Sequence, residues 1–147
     1  MRYISLFSGI GGFEHAIHSL YPNAVCLGYS EIKPSAIKVY KKQFPTHVNL
    51  GDIIKISDNQ LKNLKKCDLL VAGFPCTNLS SMASLRGNHD GLQGEQSGLF
   101  YELIRIIKII KPTYFIIENN ASMNLENKKK ITDILQSISL EHVYTTM

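Results

Sequence analysis

Tryptophan is absent from this chain, and only three cysteines and five prolines are spread over its 147 residues. Cys26, Cys67 and Cys76 form no Cys-x-x-Cys pair and cannot all be bridged, which argues against a disulfide scaffold or a zinc ribbon and for a reducing compartment. No apolar run approaches the ~20 residues that cross a bilayer. The stretch Met1–Phe13 lacks the charged leader, long apolar segment and small-residue cleavage site of a signal peptide. A cytoplasmic chain with no membrane partner is the expectation. Internal repeats, low-complexity tracts and inter-domain linkers are also missing, which excludes collagen and coiled coil. The five histidines show no ligand spacing, so no metal is expected. Charge is modest: 19% of residues are Asp, Glu, Lys or Arg, and the net value of +4 permits a polyanionic partner without requiring one. Hydrophobic residues make up 44% of the chain, enough for the core of one domain and too many for disorder.

What is present is a rhythm. Nearly continuous apolar runs at Tyr3–Phe7, Ala24–Tyr29, Asp68–Ala72, Tyr114–Ile117 and Leu140–Tyr144 read as strands buried on both faces. Between them, Glu14–Leu20, Ser35–Phe44, Gln60–Lys65, Leu99–Ile110 and Lys128–Ile138 read as helices. Pro34 and Pro112 sit at element boundaries. Alternation of this kind implies an α/β, doubly wound, mostly parallel sheet with helices on both faces. One stretch breaks the rhythm: Thr77–Ser97, 21 residues rich in Ser, Gly, Asn and Gln, reads as a functional loop with Gly87, Gly91, Gly94 and Gly98 as hinges. The lysines at 41–42 and 128–130 read as solvated faces.

Three places carry candidate chemistry. Phe7-Ser8-Gly9-Ile10-Gly11-Gly12 follows the first strand, where glycines let a backbone approach a ligand. The dinucleotide fingerprint fails at Glu14, whose carboxylate would face phosphates. Glu31 ends the second strand, 19 residues after Gly12, where an acid accepts the hydroxyls of a ribose. The pair suits a nucleoside cofactor without a pyrophosphate, and equally a turn cluster with a surface acid. Gly73-Phe74-Pro75-Cys76 leaves another strand; Pro75 stiffens the turn that presents Cys76, a thiol placed to act as a nucleophile. Cys26 and Cys67, in or beside strands, read as core residues. Glu118-Asn119-Asn120 ends a further strand, and a 3-2-1-4-5 strand order opens Glu118 on the same rim as Cys76.

Taken together, these residues resemble the DNA (cytosine-5) methyltransferases. Leu6–Phe13 is similar to the family's first motif, which binds S-adenosylmethionine. Glu31 matches its ribose acid, with Ile32 beside it, and Gly51-Asp52-Ile53 matches the segment whose acid meets the adenine amino group. Gly73–Cys76 matches the Pro-Cys motif and Glu118-Asn119 the Glu-Asn motif. Ser97-Gly98-Leu99-Phe100-Tyr101-Glu102 resembles the helix start after the catalytic loop. The resemblance implies a Rossmann-like methyltransferase fold, S-adenosylmethionine as cofactor and DNA as partner. It implies a cofactor site of Phe7, Gly9, Ile10, Gly11, Gly12, Glu31, Ile32, Asp52, Ile53, Pro75 and Leu99. Cys76 and Glu118 would be catalytic, and Pro75, Thr77, Ser80, Ser81, Arg86 and Asn119 would meet the nucleic acid. In the family mechanism a Cys76 thiolate adds to C6 of a flipped cytosine, making C5 nucleophilic while Glu118 holds N3 and the exocyclic amine. C5 takes the methyl group, a base removes the C5 proton, and the cysteine leaves.

The chain also departs from the family pattern. Ser5 stands where an acid is usual, implying a looser cofactor turn; Thr77 stands where glutamine is usual, and Asn120 where valine is usual. No Arg-x-Arg occurs, and the chain reaches Met147 without the family's target-recognition domain or its late helix. A C-terminally incomplete catalytic domain, a fragment or one subunit of a split enzyme completed by a second polypeptide that reads the target, is the resulting expectation. A regulatory cofactor-binding remnant and an RNA cytosine-5 methyltransferase are the rival readings. An amino-methylating enzyme is disfavoured by the lack of an Asp/Asn-Pro-Pro-aromatic motif.

Overall fold

The computed structural model describes residues 1–64, 66–74, 95–119 and 125–138, leaving aside the side chains of residues 95–97 and 127. Strands β1 (Arg2–Leu6), β2 (Val25–Ser30), β3 (Leu69–Gly73) and β4 (Tyr114–Glu118) form one parallel sheet in the order β2-β1-β3-β4. Helix α1 (Gly12–Leu20) joins β1 to β2. Helix α2 (Pro34–Gln43), a 3-10 turn (Ile53–Lys55) and α3 (Asp58–Lys62) lead on to β3. Helix α4 (Glu95–Ile110) precedes β4, and α5 (Leu125–Ile138) follows it. The chain moves outward from β1 to β2 and returns to lay β3 on the other flank of β1, so the switch point of the sheet lies between β1 and β3. Ligands of open α/β sheets bind beyond the carboxyl ends of strands at such a point.

Alternation along the strands sends side chains to two cores. Ile4, Leu6, Leu70 and Ala72 pack with Ile53, Ile56 and Leu61, with Phe100, Leu103, Ile106 and Ile107 of α4, and with Ile131 and Leu135 of α5. Tyr3, Leu69 and Val71 point to the opposite face and meet Phe13 and Ile17 of α1. Helices on both faces make the sheet doubly wound, as the sequence pattern implies. Local signals set the ends: Pro34 opens α2, and Ser57 with Gln60 forms a reciprocal capping box on α3.

Several expectations need correction. The first strand stops at Leu6, because Phe7 turns into the left-handed region at φ 55°. The third helical segment begins at its capped Asp58 and ends at Lys62, not at 65. The strand β4 is not buried on both faces: Tyr114 and Ile116 are more than half exposed. The backbone of Glu95–Ser97 already belongs to α4, so the expected Thr77–Ser97 loop is shorter, and Gly98 lies inside a helix instead of at a hinge. The other three proposed hinge glycines and the expected strand Leu140–Tyr144 lie outside the described residues.

On the α1 side, aromatic and titratable side chains are packed together. Tyr29 stacks on Tyr40 at 3.8 Å between ring centroids, and the Tyr40 hydroxyl donates to Glu14 Oε1 at 3.0 Å. A phenol has one hydrogen to give, so the 3.1 Å contact to His47 Nδ1 is an imidazole N–H donating to the Tyr40 oxygen. The His18 ring lies 5.8 Å from that of His47 and pairs with the Tyr3 hydroxyl. Three of the histidines that look scattered in sequence (His15, His18 and His47) therefore surround Phe44. Among the described residues, no group of three or more His, Cys, Asp or Glu is placed to hold a metal ion. Burial, followed by the nearby His18, holds the His47 imidazole below its ordinary value near 6.5. The unfolded chain, with the higher value, takes up that proton first, so stability falls as pH drops through about 6.5 and levels off below the folded value. The melting temperature is expected to decline between about pH 7.5 and pH 5.5, and His47→Gln is expected to flatten that decline. Melting curves across that range check both.

Candidate active site

The turn after β1 is built by backbone conformation. Phe7, Gly9 and Gly11 all have positive φ, at 55°, 56° and 99°. Glycine takes that region without strain, whereas a bulky residue such as Phe7 does so at a cost of about 1–3 kcal/mol, and such strain gathers at ligand sites. The turn is fastened from β2: the Ser8 N–H donates to the Ser30 carbonyl at 3.1 Å, and the Gly9 N–H donates to Glu31 Oε2 at 2.9 Å. The other oxygen of Glu31 accepts from the amides of Ile32 and Lys33, each at 2.8 Å. Three amides thus fix this carboxylate at the end of β2.

A second acid reaches the same place from the turn beyond α2. Asp52 caps the 3-10 turn, its Oδ1 accepting from the Ile54 amide at 3.1 Å. Arg105 of α4 braces that turn from below, donating to the carbonyls of Ile53 and Ile56 while pairing with Asp58 at 2.5 Å and Glu102 at 2.8 Å. Phe7, Ser30, Glu31, Ile32, Asp52, Ile53, Gly73 and Leu99 enclose a pocket of about 270 Å³. Two carboxylates sit among apolar walls there, the arrangement that suits a ring bearing polar edges.

Six residues of the expected cofactor site, Phe7, Glu31, Ile32, Asp52, Ile53 and Leu99, line this pocket, and Gly9 touches it through Glu31. Gly11 and Gly12 do not line it. A Cβ on Gly11 would meet Phe44 at 2.8 Å and Tyr40 at 3.3 Å, so this glycine permits close packing of the start of α1 against Tyr40 and Phe44. Gly12 opens α1 over empty space. Ile10 is exposed beside the turn, its carbonyl accepting from Gln43. Glu14 does not present its carboxylate to the turn as expected: its side chain is fully buried, accepts from the Tyr40 hydroxyl and does not line the pocket. Ser5 is likewise buried on the α1 side, its Oγ without a partner among the described residues, so its difference from the family acts on packing beneath α1. Sequence reasoning missed Ser30, whose hydroxyl donates to the Gly51 carbonyl at 2.6 Å, and Gly73.

Gly73 and Glu118 are register partners on β3 and β4, so the acid stands beside the exit of β3. A Cβ on Gly73 would lie 3.2 Å from Glu118 Oε2, so the carboxylate packs closely over this strand end. The Asn119 amide donates to the Phe74 carbonyl at 3.4 Å, tying the two strand ends together one residue before Pro75. Phe74 itself is anchored in the core against Phe100. Pro75, Cys76, Thr77, Ser80, Ser81 and Arg86 lie outside the described residues. Burial pushes the thiols of Cys26 and Cys67 up to about 11, so both are neutral packing residues.

With this geometry in place, comparison with known proteins decides the family. The model of the C-5 cytosine-specific DNA methylase family matches residues 1–144. The chain belongs to this family. Among curated relatives, the type II methyltransferase M.NgoBV of Neisseria gonorrhoeae is 35% identical over 136 residues, covering 90% of this chain and 30% of that protein. The type II methyltransferase M2.BsuMI of Bacillus subtilis is 35% identical, covering 99% of this chain and 36% of its own length. This C-5 methylase chain therefore spans about a third of the length of the curated relatives it matches. The solved structure of the Entamoeba histolytica methyltransferase EhMeth superposes with a TM-score of 0.74 at 25% identity, over 93% of this chain and 43% of that one. A mutant of Spodoptera frugiperda DNMT2 shares the fold, with a TM-score of 0.70 at 22% identity, over 93% of this chain and 41% of its own.

Proposed function

We propose that this chain is the catalytic portion of a DNA cytosine-5 methyltransferase that uses S-adenosylmethionine. The observation that carries the reading is the meeting of Glu31 and Asp52 in one pocket, with Gly73 on its wall leading to the Pro75-Cys76 turn and pairing with Glu118. The donor set fits an adenosine. Glu31 accepts from ribose hydroxyls, Asp52 accepts from the adenine amino group, and Phe7, Ile32, Ile53 and Leu99 flank the ring. When bound, the cofactor supplies an electrophilic methyl group on a sulfonium. Within the family, Cys76 is the nucleophile that adds to C6 of cytosine, and Glu118 holds the ring's N3 edge while charge develops. Asn119 ties the end of the Glu118 strand to the Phe74 carbonyl, two residues before Cys76 in sequence. Thr77, Ser80, Ser81 and Arg86 serve the flipped nucleotide and its phosphates.

Target reading is assigned to contacts outside the described pocket, this chain acting as a fragment or as one subunit beside a second polypeptide, because base flipping costs a few kcal/mol that contacts elsewhere on the duplex must offset. The test is transfer of labelled methyl from S-adenosylmethionine to duplex DNA, with the modified nucleoside identified after hydrolysis. Transfer to cytosine C5 is expected only when the product of a neighbouring reading frame is added. Robust transfer by this chain alone contradicts the two-polypeptide reading. Cofactor binding without transfer under any pairing favours a regulatory remnant.

A further inference from the structure

Asn49 belongs to none of the motifs recognised in the sequence, yet it stands between the two acids of the pocket. Its Nδ2 donates to the Glu31 carbonyl at 3.1 Å, and its Oδ1 accepts from the Gly51 amide at 2.9 Å. One side chain thus ties the backbone of one acid to the residue preceding the other. The sheet gives little help here. Beyond β2 it is reduced to a single parallel bridge, Tyr29 to Asn49, flanked by the Tyr29–Val48 and Leu50–Tyr29 backbone bonds at 2.9 and 2.7 Å. Past that bridge the chain turns at once through Gly51, at φ 80°, into Asp52. Where a longer ladder would hold a strand end rigidly, the Asn49 amide takes its place.

We propose that Asn49 is a positioning residue that sets the separation of the Glu31 and Asp52 carboxylates and so matches the pocket to an adenosine; this rests on the cofactor reading above. Two acids that each recognise a different part of one rigid ligand are useful only at the right spacing, and a misplacement well under 1 Å spoils one hydrogen bond or the other. The amide is suited to the task because it donates and accepts at once, which neither Asp nor Leu does.

Calorimetric titration of the 147-residue chain with S-adenosylmethionine tests this, together with melting curves. Asn49→Ala is expected to weaken binding about tenfold with a melting temperature within a few degrees of wild type. Asn49→Asp keeps the acceptor for Gly51 and loses the donor to Glu31; it is expected to weaken binding similarly, and it carries the test if the alanine variant does not fold. The decisive comparison is the double variant with Glu31→Ala. Separation matters only while both acids are present, so adding Asn49→Ala to Glu31→Ala is expected to cost less than a further twofold. Binding by Asn49→Ala within twofold of wild type overturns the proposal, as do penalties that multiply in the double variant. Failure of the wild-type chain to bind overturns the cofactor reading itself and the proposal with it.

Discussion

Glu31→Ala is expected to weaken S-adenosylmethionine binding about ten- to a hundredfold, the largest loss from any single pocket residue. The carboxylate already organises the site before a ligand arrives, because it collects the amides of Gly9, Ile32 and Lys33. Its removal takes away a charged acceptor for the ribose hydroxyls, worth about 1.5–3 kcal/mol, and frees the left-handed turn that carries Gly9. Glu31→Gln separates the two effects. It keeps the volume and one oxygen but turns an NH2 group toward amides that themselves donate, so it is expected to fall between wild type and alanine. Titration calorimetry at fixed pH and salt provides the comparison, and unchanged affinity in Glu31→Ala removes the ribose assignment.

Cys76→Ser is expected to reduce methyl transfer to background in the reconstituted enzyme while leaving cofactor affinity within two- or threefold of wild type. A serine hydroxyl is not ionised at neutral pH, whereas a thiol supplies some thiolate and is the stronger nucleophile at carbon. Glu118→Gln is expected to be milder, losing about 10²–10⁴-fold, the usual contribution of a positioned acid. The ordering of the two variants is informative, since a purely structural role for the β3 and β4 strand ends would make them alike. Single-turnover transfer with saturating cofactor measures both.

Much of this architecture can be read from sequence, for a physical reason. Strands buried on both faces, such as Tyr3–Leu6 and Leu69–Ala72, leave an apolar run that few other structures produce. Of the pocket acids, Glu31 is legible because it follows the apolar run of β2, and Asp52 through the resemblance of Gly51-Asp52-Ile53 to a family motif. Other features are not legible because they depend on packing between distant segments. The packing that Gly11 allows is one, since it depends on Phe44, 33 residues later, lying against it. Glu14 looks like an obstacle to phosphate until Tyr40 draws it inward. Neither β4's exposed Tyr114 and Ile116 nor the Asn49 link announces itself in a one-dimensional pattern, because both are set by what lies beside them in the sheet.

The central claim is that the ends of β1 and β2 and the Asp52 turn form one cofactor pocket. Titrating uniformly ¹⁵N-labelled chain with S-adenosylmethionine tests it residue by residue. The amides of Gly9, Ile32, Lys33 and Ile54 are already hydrogen-bonded to the two pocket carboxylates. When those carboxylates take up ribose hydroxyls and the adenine amino group, these four signals are expected to show the largest shifts, saturating together. Signals of the His18–His47 face are expected to move little. Saturation that leaves the four amides in place, or that shifts the α1–α2 face instead, contradicts the account.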